Sequence, residues 1–249
     1  MRVTNLFFEN QEDSVGNNSG YSIICKVLLA EFVATTLLSF FGCMSTMPLI
    51  GDVLLPLTSA LGPGLVVIIL LQSFGHISGA HMNPAVTLAA LIMGKFTILR
   101  TAAYIVVQVI GAILGYGLLM GLTADDLLAD KVCLPFPQKG YNYYHTIGIE
   151  AFMAAALIFI CCSLWDPVNK ELLETASIKF GLTVVGLILV GGPLTGASLN
   201  PAKALAPAIW IGEFEGIWSY CLGSTVGAAI AALMYRFLWL EKTYTEKTL

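Results

Sequence analysis

Ser78-Gly79-Ala80-His81-Met82-Asn83-Pro84-Ala85 returns 117 positions later as Thr195-Gly196-Ala197-Ser198-Leu199-Asn200-Pro201-Ala202. No other feature of the chain restricts its fold as much. Glu31 recurs as Glu150, and Gly111-xxx-Gly115 as Gly223-xxx-Gly227, so the duplication runs through each half. A duplicated unit with Asn-Pro-Ala at the centre of an apolar chain predicts a pathway at the interface of two repeats.

The surroundings of the repeat are those of a membrane protein. Of 249 residues 57% are hydrophobic and 11% charged, and the mean hydropathy is +0.82. A soluble domain of this length needs a more charged surface. The net charge of −4 comes without a basic stripe, which excludes a nucleic-acid partner. No cleavable leader is evident in the polar stretch 1–20, and the first apolar segment can itself direct insertion. Cys25, Cys43, Cys133, Cys161, Cys162 and Cys221 show no CxxC or Cys/His metal spacing. A disulfide framework or zinc site is not expected, and the cysteines read as small apolar packing residues.

Runs long enough to cross about 30 Å of hydrocarbon are expected near 22–46, 58–78, 98–122, 146–165, 176–193 and 215–239. Two shorter pieces remain, Asn83 to Met93 and Asn200 to Ile211, each followed by a glycine that can stop a helix, Gly94 and Gly212. At 1.5 Å per residue each reaches roughly 17 Å, about half a bilayer. The expected fold is an all-α membrane protein, six transmembrane helices plus two re-entrant half-helices in an inverted repeat. A channel domain over 22–240, with repeats over about 22–122 and 142–240, is expected between cytoplasmic tails 1–21 and 241–249.

Six crossings put both termini on one side, and nine of the twelve Lys and Arg fall there, which predicts that side to be cytoplasmic. An odd number of spans separates the two half-helices, so they enter from opposite faces. The sequon Asn17-Asn18-Ser19 lies on the cytoplasmic side of this topology and carries no weight.

Asn is a favoured N-cap and Pro suits the first helical turn, so each tripeptide reads as a helix start. Two such starts meeting at the midplane would face one another with about half a positive charge each, repelling cations while sparing neutral molecules. With the asparagine oxygens used as caps, the Asn83 and Asn200 amide N–H groups are left to face the lumen. The approaches, Gly79 to Met82 and Gly196 to Leu199, are too short for helix, with Gly79, Ala80, His81, Gly196 and Ser198 as the pore-lining backbone. Backbone of that kind at membrane depth lines a cavity, where its carbonyls form a ladder of acceptors.

SGAHMNPAVT, TGASLNPAKALAPA, the opening AEFVATTLL and Gln108 ahead of Gly111 resemble the aquaporin (major intrinsic protein) family over about residues 22–240, as an insect- or animal-type member. The resemblance implies a right-handed bundle with one pore per subunit of a homotetramer, no cofactor, no metal and no enzymatic activity. It also implies a second, narrower selectivity filter, placed by counting from the motifs at Pro63, Ile188, Ala197 and Lys203. The usual set there is an aromatic residue, a His, a small residue or Cys, and an Arg. Here two positions are apolar and Lys replaces Arg, which keeps the charge but loses a planar fork of five donors. An apolar, donor-poor ring favours small neutral solutes such as glycerol or urea beside water. Ala204-Leu205 points the other way, since glycerol facilitators of the family carry Asp after the Arg. Ala197 takes the place of the family's mercury-reactive cysteine.

Alternatives stay open at four places. Lys203 either lines the pore or snorkels to the interface. Glu31 and Glu150, carboxylates inside spans, either brace the re-entrant loops or couple transport to protons; their repetition favours the brace. His81 offers its carbonyl to the acceptor ladder, and His76, at the cytoplasmic mouth, either gates with pH or is structural. For the whole chain, the channel reading competes with an ion-coupled secondary transporter and a non-conducting structural protein.

Overall fold

The computed structural model describes residues 17–47, 56–124 and 131–240. Of the expected tails, residues 1–16 and 241–249 lie outside the described residues, and residues 17–21 belong to the first helix. The helices run α1 Asn17–Met44, α2 Pro56–Ser78, α3 Pro84–Ile92, α4 Ile98–Leu122, α5 Tyr143–Trp165, a 3-10 turn Pro167–Thr175, α6 Ala176–Thr195, α7 Pro201–Ile211 and α8 Ile217–Met234. A short π-helical turn, Tyr235–Trp239, prolongs α8.

Among the described residues six helices are long and apolar enough to cross a membrane, and the expected spans agree with them to within a few residues. All six are apolar around most of their circumference. Leucine, isoleucine and phenylalanine such as Ile69, Phe152 and Phe237 stay exposed on the outside, the surface a bilayer would cover.

Packing repeats with the sequence. α1 lies along α4 in the first half and α5 along α8 in the second, while α2 and α6 pair across the repeat interface. Each half-helix crosses into the other repeat, α3 packing on α8 and α7 on α4. Close approach is set by the recurring glycines. A Cβ on Gly115 would fall 2.1 Å from the Thr36 carbonyl oxygen on α1, and one on Gly227 2.0 Å from the Ala151 carbonyl oxygen on α5. Gly115→Ala is therefore expected to destabilise the protein by about 1–3 kcal/mol, read as a lower thermal midpoint in detergent. Gly121→Ala, with nothing near its added carbon, should leave that midpoint unchanged.

The expectation about cysteines needs correcting. Cys43, at the end of α1, is disulfide-bonded to Cys133 in the connection between α4 and α5. A separation of 90 residues hides this pair from any local spacing rule. Cys25, Cys161, Cys162 and Cys221 are free; Cys161 and Cys162 are buried, as expected of packing residues, whereas Cys25 is exposed.

Candidate functional site

α3 and α7 start as their sequences require. Asn83 and Asn200 have extended backbones, and their side-chain oxygens accept from the backbone N–H of Ala85 (2.9 Å) and of Ala202 (2.9 Å). Pro84 and Pro201 take the first helical position, where a missing N–H costs nothing. Ala85 and Ala202 are buried in the first turns. The motif's proline and alanine thus build the helix start, and its asparagine faces inward.

The two starts are tied to each other. Asn83 Nδ2 donates to the Leu199 carbonyl (2.9 Å), and Asn200 Nδ2 donates to the Met82 carbonyl (2.8 Å). Each amide has two N–H bonds, so one is spent on the opposite repeat. The sequence reading, which left the whole NH2 to the lumen, was too generous by one N–H per asparagine.

The approach loops hold strained backbone. Gly79 and Gly196 have φ of 87°, followed by left-handed Ala80 and Ala197 (45° and 47°) and Met82 and Leu199 (51° and 59°). The non-glycine residues cost about 1–2 kcal/mol each in that region, so something must hold them. In the first half Glu31 accepts from the His81 N–H (2.8 Å), the Met82 N–H (2.9 Å), the Ser78 hydroxyl (2.8 Å) and Gln108 Nε2 (2.9 Å). In the second half Glu150 accepts from the Ser198 N–H (3.1 Å), the Leu199 N–H (2.9 Å) and the Thr195 hydroxyl (2.7 Å). Both carboxylates are fully buried. Their geometry is that of a brace.

A further layer escaped the sequence reading. Ser78 Oγ and Thr195 Oγ1 each accept from an alanine N–H in the loop, Ala80 and Ala197. The Ser78 and Thr195 carbonyls accept from the Tyr104 and Tyr220 hydroxyls, both at 2.8 Å. Tyr104 stands 26 residues after Ser78 and Tyr220 25 after Thr195, a recurrence visible in the sequence once one looks for it. Gln108 breaks the symmetry, because its amide also reaches Thr87 (2.9 Å) while its carbonyl oxygen is buried without a partner.

Three cavities line up along the bundle. A central one of about 60 Å³ is walled by Asn83, Asn200, His81, Met82, Ser198 and Leu199 together with Pro63, Ile188, Ala197 and Lys203, space for about two waters. The four positions found by counting and the asparagines of the two tripeptides therefore share one small chamber. On the face that carries the termini, a cavity of about 370 Å³ is lined by Gly79, Ala80, His81, His76, Trp165 and Glu174, among others. On the opposite face, one of about 570 Å³ is lined by Gly196, Ser198, Pro63, Ile188 and Lys203 and by residues 131–136 of the α4–α5 connection. The central chamber shares His81 with the first and Lys203 with the second. Glu31 and Glu150 line none of the three. Lys203 lines two of them.

The histidines part company. His81 is buried, with Nδ1 3.2 Å from Thr87 Oγ1 and its ring stacked on Phe96 at 4.9 Å, a structural residue that also walls the chamber. His76 is exposed at the mouth.

Residues 20–235 match the family model described as Major intrinsic protein. Nodulin-26 of Glycine max is 37% identical over 233 residues, covering 89% of this chain and 79% of that protein. Aquaporin-2 of Rattus norvegicus is 34% identical over 213 residues, 86% of this chain and 78% of that protein. The fold is also that of the crystal structure of the aquaglyceroporin from Plasmodium falciparum, with a TM-score of 0.76 at 22% identity over 86% of this chain and 96% of the other.

Proposed function

The chain belongs to the major intrinsic protein family, and from that premise we propose that it conducts water and small uncharged solutes such as glycerol or urea while excluding ions and protons. Members of this family are channels rather than enzymes, and this chain is a multi-pass integral membrane protein and a channel for water or small solutes. The observation that carries the finer reading is the reciprocal tie between the two half-helix starts, inside a chamber that shares wall residues with the cavities at both mouths.

At that tie the free N–H of each asparagine offers one donor to a passing oxygen, and two helix N-termini set a positive potential that a cation must climb. A neutral permeant feels little of it. Carbonyls of Gly79, Ala80 and His81 on one side, and of Gly196, Ala197 and Ser198 on the other, supply the acceptors that replace its hydration. Pro63, Ile188, Ala197 and Lys203 form the filter, with two apolar walls, one small residue and one mobile cation. Such a ring grips a solute with fewer fixed hydrogen bonds than an arginine fork does, so polyols share the path with water. Glu31 and Glu150 stand off the lining, which removes the charged groups that a proton-coupled carrier would present to its substrate.

We place the termini in the cytoplasm and the protein in the plasma membrane. The Lys and Arg bias supports this, and so does the disulfide, which lies on the face opposite the termini and belongs in an oxidising compartment. Residues 22–240 form the channel unit, and the exposed apolar flanks suit both lipid and assembly as a homotetramer with one pore per subunit.

Stopped-flow measurement of water, glycerol and urea permeability on one proteoliposome preparation tests the assignment. Non-saturating flux with a low activation energy and no response to ion gradients is the expected result; water flux equal to that of empty vesicles overturns it. In the same assay Lys203→Arg is expected to raise the water-to-glycerol ratio by about threefold to tenfold, the range one fixed hydrogen-bond contact is worth. An unchanged ratio would remove residue 203 from the filter.

A further inference from the structure

The disulfide sits where the open mouth meets the filter. Cys43 ends α1, and Cys133 begins the segment 133–138 that walls the large cavity opposite the termini, together with Pro63, Ile188 and Lys203. This segment rests on the second approach loop. The Gln138 N–H donates to the Leu194 carbonyl (3.1 Å), and the Pro135 Cα lies 3.7 Å from where a Cβ on Gly196 would stand. Residues 194–196 lead directly into Ala197 and Ser198 of the chamber wall.

The segment does not hold its own shape. Lys131 and Cys133 both have left-handed backbones, φ 52° and 65°, a conformation that non-glycine residues keep only where their surroundings enforce it. The ties that enforce it are the disulfide, the Tyr116 hydroxyl on the Val132 carbonyl (2.7 Å), the exposed Lys131–Glu213 ion pair and Leu134 packed beside Ile217 and Tyr220. The disulfide is the covalent one.

We propose that the Cys43–Cys133 disulfide and the segment 131–138 form a specificity-determining clamp, which holds the Gly196–Ser198 wall of the filter in place from outside the two repeats. Cys43 and Cys133 are positioning residues: neither lines the central chamber, and they set how far its wall yields to a permeant. With the clamp closed the filter stays narrow, favouring water. With it open the wall gives, and three-carbon polyols gain more than water does. The proposal rests on the channel reading above.

The test uses the full-length protein, reduced with a phosphine in detergent, checked for two new thiols by mass spectrometry and reconstituted without oxygen. The glycerol-to-water permeability ratio is expected to rise about threefold to tenfold, part of what an apolar pocket gains per methylene. Deuterium uptake over 131–138 should rise in parallel. Cys43→Ser with Cys133→Ser should show the same ratio without reductant and no response to it, which removes the other four cysteines as the cause. If that variant fails to fold, reduction of the folded wild type still decides. An unchanged ratio or unchanged uptake after verified reduction overturns the clamp, as does finding both thiols free beforehand. Absence of all flux in both states sinks the channel reading instead, and the deuterium uptake then decides the clamp alone.

Discussion

Glu31→Ala is expected to unfold the first approach loop, lowering the thermal midpoint in detergent and abolishing water flux. Four donors end on this carboxylate, two of them backbone N–H groups of His81 and Met82. Each buried donor left without a partner costs about 1–3 kcal/mol. The left-handed backbones of Ala80 and Met82 then lose what holds them, about 1–2 kcal/mol apiece. The four donors alone come to roughly 4–12 kcal/mol, the same order as the whole stability of a typical domain, about 5–15 kcal/mol. Glu150→Ala leaves three donors without an acceptor rather than four, so its midpoint should fall less. Glu31→Gln keeps one acceptor oxygen and should lie between wild type and Glu31→Ala. A Glu31→Ala protein with native midpoint and native water flux would show that the carboxylate braces nothing.

The second large effect concerns charge. Asn200→Asp places a carboxylate where Nδ2 now donates to the Met82 carbonyl at 2.8 Å. The donor is lost, and an ionised oxygen faces a carbonyl oxygen. A full negative charge also outweighs the roughly half-positive end of α7. The barrier to cations should collapse at its highest point. Proton flux into vesicles loaded with a pH-sensitive dye is expected to rise at least about tenfold, the equivalent of roughly 1.4 kcal/mol. Asn83→Asp should do the same through Leu199, by the symmetry of the two ties. Water flux measured alongside reports whether the pathway survives. Proton flux at the wild-type level, with water flux intact, would refute the dipole argument.

How far the sequence was legible depends on the range of the interaction. Helix starts are local: Asn caps and Pro at the first position fix Asn83-Pro84 and Asn200-Pro201 without help from elsewhere, and the structure has both. Spans follow from length and apolarity, which is why α4 over Ile98–Leu122 matches its expectation at both ends. Internal duplication did the rest, because a residue found twice at matching offsets, such as Glu31 and Glu150, announces a role required once per half. Pairings that happen once left no such trace. Cys43 and Cys133 meet through the tertiary course of the α4–α5 connection, and nothing periodic marks either. Gln108 is marked in the sequence only by its place ahead of Gly111, and its bridge from Glu31 to Thr87 needs three elements in place at once. The cross-repeat asparagine bonds were missed for a related reason. Capping logic assigns the amide oxygen and is silent on the nitrogen, whose partner lies 116 or 118 residues away.

Those same bonds impose an order on synthesis. When Met82 and Asn83 are translated, the Met82 carbonyl and the Asn83 amide have no counterpart, since Asn200 and Leu199 follow them by 118 and 116 residues. At about 5–20 residues per second, the nascent half waits for several seconds with its most polar tip unanswered. α3 is then better housed near the interface, where water can serve those groups, than at its final depth. Its descent should come as a late event, timed by the arrival of α7.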